Sequence, residues 1–236
     1  MADLATLADA LTWFAVFLFS TTLHEASHAL AAMRLGDRTA YHGGQVTLDP
    51  LPHIRRHPFG MVVLPLMSAV LTGWPIGFAS APYDPAWADR HPHRAAVMAL
   101  AGPAANLLLA LLAAVALRAG EASGYFYAPV KIEFGLVAAS ALGATWDMVA
   151  RFASVFFSMN LLLCVFNLLP FAPLDGSAAI TLFMQPATAR RYQGFLRATP
   201  MLGWLGLVLA WQMADLVFRP LFSAAVNLIY PGVTYS

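Results

Sequence analysis

The sequence predicts an all-α membrane protein: a polytopic helical bundle of four to six transmembrane helices, with a small membrane-associated β element near 41–59. Three observations predict it. Of the 236 residues, 60% are hydrophobic and only 11% charged, against about 25% charged in a soluble domain. Four apolar stretches, about 10–33, 94–118, 151–170 and 201–229, are each close to the ~20 residues that a bilayer core requires. Finally, Tyr41 to Leu48 (YHGGQVTL) pairs two glycines with a short alternating stretch, a pattern that suits a hairpin or an extended edge.

In chain order, Met1 to Ala10 holds two Asp and no Lys or Arg. A cleavable signal peptide needs a positive start, so the first helix is expected to be retained. Arg34, Arg38, Arg55 and Arg56 follow that helix and none precedes it, which places the N-terminus outside and 34–59 in the cytoplasm. Residues 60–80 are apolar but hold Pro65, Gly73, Pro75 and Gly77, and 132–149 are flanked or interrupted by Lys131, Glu133 and Asp147. Each can span, or be re-entrant where protein or a water-filled cavity covers it. Pro82, Pro85 and Pro92 mark 81–93 as a turn-rich connector. Arg190, Arg191 and Arg197 precede the last helix and are expected on the cytoplasmic side as well.

Both placements hold with six spans or with four, and fail with five. Arg90 and Arg94 favour four; the length and apolarity of 60–80 favour six, which is the preferred count. No internal repeat is visible, and 1–236 reads as a single domain. The net charge of +1 gives no basic surface for nucleic acid. Cys164, the sole cysteine, excludes an intramolecular disulfide and a thiolate metal cluster.

The chemistry sits in the first span, where residues 24–28 read His-Glu-Ala-Ser-His. On a helix this spacing puts two imidazoles on one face, able to share a zinc ion, with Glu25 beside them as general base toward water. Three ionisable residues within five positions of an apolar helix are costly in lipid, so a functional role outweighs a packing one. A catalytic zinc site usually takes three protein ligands. Asp175 is the best third. Pro170 and Pro173 break the helix ahead of it, and Gly176 permits close approach. A turn capped by an Asp is the plain alternative.

Asn167 stands two turns before Asp175 and offers either an interhelical hydrogen bond or a donor to an oxyanion or substrate strand. Asn106 poses the same choice and reads as structural first. Asn160 reads as packing only. His42, His53, His57, His91 and His93 fall in polar loops and read as surface residues.

These motifs together resemble the site-2 protease family of intramembrane zinc metalloproteases. The residues that carry the resemblance are His24-Glu25-x-x-His28, Ala101-Gly-Pro-x-x-Asn106 and Asn167-x-x-Pro170-x-x-Pro173-Leu-Asp175-Gly176, with the loop Thr47 to Ile54. It runs from about Leu11 to Ser177 and weakly beyond. The resemblance implies that His24, His28 and Asp175 hold Zn²⁺, that Glu25 activates water, and that Asn167 positions substrate or oxyanion. It also implies that 41–48 belong to a β element on which an extended substrate adds as a strand. The site would lie in the bilayer toward the cytoplasmic side of a bacterial cell membrane, and the partner would be a transmembrane protein substrate.

Ser177 departs from a second glycine found in many members. The chain has no room between 119 and 150 for a PDZ domain, and reads as a minimal member without PDZ or CBS domains. Two other functions compete: a non-proteolytic relative that binds membrane clients, and a transporter. Glu25 argues against the first, since a binder needs no base. The lack of repeated halves argues against the second.

Overall fold

The computed structural model describes residues 4–235. Helix α1 runs Leu4–Leu35, about 48 Å at 1.5 Å per residue and ample for a ~30 Å hydrocarbon core. Gly36, at φ 109°, ends it, and the Asp37 N–H reaches back to the Ala32 carbonyl at 2.8 Å. This is the six-to-one bond of a left-handed helix end. The Arg94 guanidinium takes up the Leu35 carbonyl at 3.2 Å.

Asp37 then ties two loops together. Its carboxylate accepts from the Thr39 N–H at 2.9 Å and the Thr39 hydroxyl at 2.6 Å, and from the Asp84 N–H at 2.8 Å. Burial pushes its pKa up, but these donors outweigh burial and hold it below the ordinary carboxylate value. A depressed folded-state pKa stabilises the fold above the unfolded value of about 4 and loses that stabilisation as pH falls through the folded value. Asp37→Asn is therefore expected to lower the melting temperature in detergent at pH 7, and the gap to wild type should narrow below about pH 4. A gap that stays constant down to pH 3 would mean the carboxylate charge does not matter there.

The expected β element near 41–59 is not formed. Short helices α2 (Thr39–His42) and α3 (Pro50–Arg56) occupy this stretch, and no named strand occurs among the described residues. Two causes are visible. Gly43 and Gly44 close a turn with the Gly44 N–H on the Tyr41 carbonyl, leaving only four residues of alternation and no strand to pair with. Asp49 then caps the Leu51 N–H at 2.9 Å with Pro50 at the first helical position, a strong helix start. His53 is also not a surface residue: it is 1% exposed, and its Nε2–H donates to the Thr47 carbonyl at 3.2 Å, bracing the loop.

Residues 60–80 do not span. A π-turn at Phe59–Val63 leads into α4, Leu64–Thr72. Those 14 residues reach about 21 Å, short of a bilayer core. Gly73, at φ 85°, stops the helix and the chain doubles back, the Phe78 N–H donating to the Gly60 carbonyl at 3.0 Å. A Cβ at Gly60 would overlap the Phe78 carbonyl, and one at Gly77 the Gly60 carbonyl, so both glycines are needed for this re-entrant hairpin.

Helix α5 (Pro85–Arg90) precedes the long α6 (Pro92–Ala122). Residues 123–143 carry only isolated bridges, Tyr127 with Ala139 and Glu133 with Leu136. The helix α7 (Ala144–Asn167) follows, then α8 (Asp175–Ala179), α9 (Pro186–Ala198) and α10 (Met201–Ile229). Four helices, Leu7–Leu35, Pro92–Ala122, Ala144–Asn167 and Met201–Ile229, are long and apolar enough to cross. The preferred six-span count is thus corrected to four, as Arg90 and Arg94 indicated. The chain is an all-α, multi-pass membrane bundle.

Helix α6 sits at the centre, packed on both α1 and α7, while α10 stands outside against α7. At one end the Arg197–Asp89 pair (2.5 Å) and the His93 ring on the Met184 carbonyl (2.8 Å) join the loops after α1 and α7. At the other end Arg151 pairs with Asp9 at 2.5 Å, and the Tyr235 hydroxyl donates to the Pro129 carbonyl at 2.7 Å. The four spans therefore alternate in direction.

Candidate metal centre

His24, Glu25 and His28 lie deep in α1 and are 6%, 4% and 5% exposed. Their cover is α6, which comes unusually close at Gly102. A Cβ there would overlap the Nε2 atoms of both histidines. Gly102 thus does more than let helices pack: it leaves the volume in which the two rings meet. On the third side, α7 ends at Asn167, and the chain turns through Pro170 and Pro173 to place Asp175 at the first residue of α8. Gly176 follows against the Leu168 and Leu169 carbonyls, where a Cβ would not fit. The helix break folds back on itself, and that aims the carboxylate inward.

The three side chains expected from sequence to act together do converge. His24 Nε2 lies 3.1 Å and His28 Nε2 3.3 Å from Asp175 Oδ2, and the two Nε2 atoms are 3.0 Å apart. No other group of three or more His, Cys, Asp or Glu among the described residues has metal-ligand spacing.

The protons on these atoms follow from their neighbours. The Asn160 Nδ2 donates to the Phe156 carbonyl at 2.9 Å, which turns its Oδ1 toward Asn106. Asn106 Nδ2 donates to that oxygen at 2.9 Å and to the Ser20 carbonyl at 3.4 Å. The Asn106 Oδ1 must then accept from His24 Nδ1–H, at 2.5 Å. His28 Nδ1–H donates to the Met98 carbonyl at 2.8 Å, and a carbonyl can only accept.

With both Nδ1 atoms protonated, the neutral rings present lone pairs at Nε2. Two nitrogen lone pairs and a carboxylate oxygen thus face each other with no hydrogen between them. A cation resolves that repulsion. Zinc bonds of ~2.0–2.2 Å in a tetrahedron give ligand–ligand edges of about 3.3–3.6 Å, and the observed 3.0–3.3 Å lies within a few tenths of an ångström of that range. The residues present fit a zinc ion with two imidazoles and one carboxylate.

Asn106 is fully buried, and both its oxygen and its amide hydrogens are engaged. It has no donor left for an oxyanion, and its structural reading is the one that the geometry carries. Asn160, read from sequence as packing alone, is the next link and orients Asn106. Its only sequence signal was a second Asn in an apolar helix. Outer partners of this kind commonly change metal affinity by about 10–100-fold. Asn106→Leu is expected to weaken zinc binding by about that factor, while Asn106→Asp, which still accepts from His24, should retain most of it. Equal loss in both would mean that the site needs the packing of Asn106 and not its acceptor.

Asn167 donates to the Leu163 carbonyl of its own helix at 2.9 Å and bonds none of His24, His28 and Asp175. Glu25 follows His24 in α1, and its Oε2 is buried without a protein partner.

Comparison with known proteins covers the stretch of chain that holds these residues. The sequence profile of peptidase family M50 matches residues 12–209. YwhC of Bacillus subtilis, provisionally named a zinc metalloprotease, is 30% identical over 210 residues, covering 84% of this chain and 83% of YwhC. Rip2 of Mycolicibacterium smegmatis, provisionally named likewise, is 34% identical over 177 residues, covering 74% of this chain and 58% of Rip2. Rip2 of Mycobacterium tuberculosis is also 34% identical, over 175 residues and 58% of its length. The match thus spans little more than half of the Rip2 proteins. No solved structure matches the chain. With the profile covering most of its length, and two buried histidines converging on a partly buried aspartate at metal-ligand spacing, this chain belongs to peptidase family M50, the zinc-dependent site-2 protease family of membrane metalloproteases.

Proposed function

We propose that the chain is an intramembrane zinc endopeptidase that hydrolyses peptide bonds in or near the transmembrane segments of other membrane proteins. The observation that carries this reading is the set of three converging lone-pair atoms, 3.0–3.3 Å apart, inside a membrane-spanning helix bundle. A hydrolytic centre buried among spanning helices meets peptide bonds that lie in the same layer.

His24, His28 and Asp175 hold the metal, and Asn106 with the Met98 carbonyl sets the two rings. When bound, zinc supplies Lewis acidity toward a water molecule and a peptide carbonyl. Glu25 takes a proton from the attacking water and passes it to the departing amine, the work of a general base and then acid. Its unpartnered Oε2 is free for that role. Asn167, at the end of α7, is the candidate for holding the carbonyl oxygen or a neighbouring substrate group.

The arginines at 34–56 and 190–197 put the loops after α1 and α7 in the cytoplasm. The N-terminus is then outside a bacterial cell membrane, and the site opens toward the cytoplasmic half. The test uses a panel of single-span substrates in proteoliposomes. Chelation is expected to abolish cleavage, and added zinc to restore it. Zinc bound at about one ion per chain with no cleavage of any substrate would instead favour a relative that binds membrane clients without cutting them.

A further inference from the structure

Helix α10 carries charge where the bilayer is least tolerant of it. Asp215 is the middle residue of Met201–Ile229, and Arg219 lies one turn on, with Nη2 3.3 Å from Asp215 Oδ2. Charges at that depth are costly unless they face protein or a polar cavity. Gln212, Asp215, Arg219 and Ser223 recur at steps of three, four and four residues, which is one stripe of a helix. All four line a cavity of about 1300 Å³ bounded by α1, the tip and return of the α4 hairpin, residues 130–134, α7 and α10. Between residues 212 and 224, the exposed α10 residues outside the cavity, Met213, Leu216, Pro220, Leu221 and Ala224, are all apolar. The polar residues share the groove side of this stretch; the groove is open along them, and the Asp215 and Arg219 side chains are each 78% exposed.

The rest of the cavity wall is largely apolar, including Trp13, Phe17, Met159, Leu163 and Phe166. The cavity approaches the metal centre. Phe17 is seven residues before His24, about 10 Å along the axis, and Phe166 adjoins Asn167. Trp74, at the hairpin tip, stacks on Trp211 of α10 with centroids 5.7 Å apart, so hairpin and helix meet across the cavity.

We propose that this cavity receives the unwinding segment of a transmembrane substrate, and that the α10 stripe takes up the backbone groups which unwinding sets free. The proposal rests on the intramembrane protease reading. A helix must open before its scissile carbonyl can be attacked, and each backbone group left bare in lipid costs several kcal/mol. Residues 41–48 form no strand that could satisfy them. Asp215 accepts from N–H groups, Arg219 donates to carbonyls, and Gln212 and Ser223 do either. The pair is neutral overall. That suits a backbone with equal numbers of donors and acceptors better than a charged side chain.

Two measurements test this on the full chain in proteoliposomes. In the first, Glu25→Gln keeps substrate uncut, Cys164 is changed to Ala, and one cysteine is placed at 212, 215 or 223, or at 213 or 221 as controls. The probe is a single-span substrate with one cysteine in its cleavage region. Disulfides are expected from 212, 215 and 223 and not from 213 or 221. Equal cross-linking on both faces, or none on the stripe, overturns the proposal.

In the second, Asp215→Asn with Arg219→Gln in the otherwise wild-type enzyme should lower kcat/KM about tenfold, the scale of a lost charged hydrogen bond, with zinc content unchanged. A substrate already broken by a Gly-Pro pair has fewer helical bonds to lose, and the loss on it should be clearly smaller. The same loss on both substrates overturns the proposal. A wild-type chain that binds zinc yet cuts nothing defeats the protease reading separately, and the cross-linking pattern still decides the cavity.

Discussion

Glu25→Gln is expected to keep its zinc and to lose about two to four orders of magnitude in cleavage rate, the range associated with a positioned general base. The amide has the shape of the carboxylate but cannot accept the water proton. Glu25 is not one of the three converging groups, His24, His28 and Asp175, so the substitution leaves the candidate metal ligands in place. Glu25 is 4% exposed, which leaves little chance for a bulk solvent base to replace it. The measurement is single-turnover cleavage of a single-span substrate beside zinc content by elemental analysis. Cleavage within a few-fold of wild type would show that the proton goes elsewhere and that Glu25 is not the base. Loss of zinc along with activity would make Glu25 a structural support of the metal site.

His24→Ala and Asp175→Ala should each lose most of the bound zinc, from about one ion per chain, because either leaves two protein ligands where three are usual. The effect should exceed the roughly 10–100-fold expected for outer partners such as Asn106. The two variants differ in a useful way. His24→Ala also strands the Asn106–Asn160 chain, whereas Asp175→Ala leaves α1, α6 and α7 intact and removes only a carboxylate at the start of α8. Dialysis against a zinc buffer, with helicity followed by circular dichroism, separates metal loss from unfolding. Full zinc occupancy in Asp175→Ala would remove Asp175 from the site, and the close approach of its Oδ2 to both Nε2 atoms would then need another cause.

The residues of the candidate site stood out in the sequence because each breaks a local rule. His24, Glu25 and His28 are ionisable residues inside an apolar span, and Asp175 follows two prolines that end a helix. Both are anomalies that a bilayer makes expensive. The partners of those residues were harder to read. Asn106 and Asn160 are fully buried and lie 82 and 136 positions from His24 along the chain. Nothing in one helix says which neighbour its amide will meet. The β element near 41–59 failed for the opposite reason. Alternation over Gln45–Leu48 is a local signal that needs a second strand, and the Asp49-Pro50 helix start is local and complete in itself. The six-span count failed on length, since the Gly73 stop leaves 60–80 with a helix too short to cross.

By itself, the sequence determined that the chain is a multi-pass membrane protein, that α1 carries two histidines and a glutamate at metal-site spacing, and that Asp175, the candidate third ligand, follows a helix break. These follow from composition, helical period and proline, which act within a few residues. Only the tertiary structure decided that α6 presses Gly102 against both imidazoles, that Asn160 and Asn106 fix the His24 tautomer, and that the polar stripe of α10 lines a groove shared with α1, α7 and the α4 hairpin. Each of those depends on which helices pack together and at what rotation. That is settled by long-range burial of side chains and pairing of polar groups across helices, which no single segment encodes.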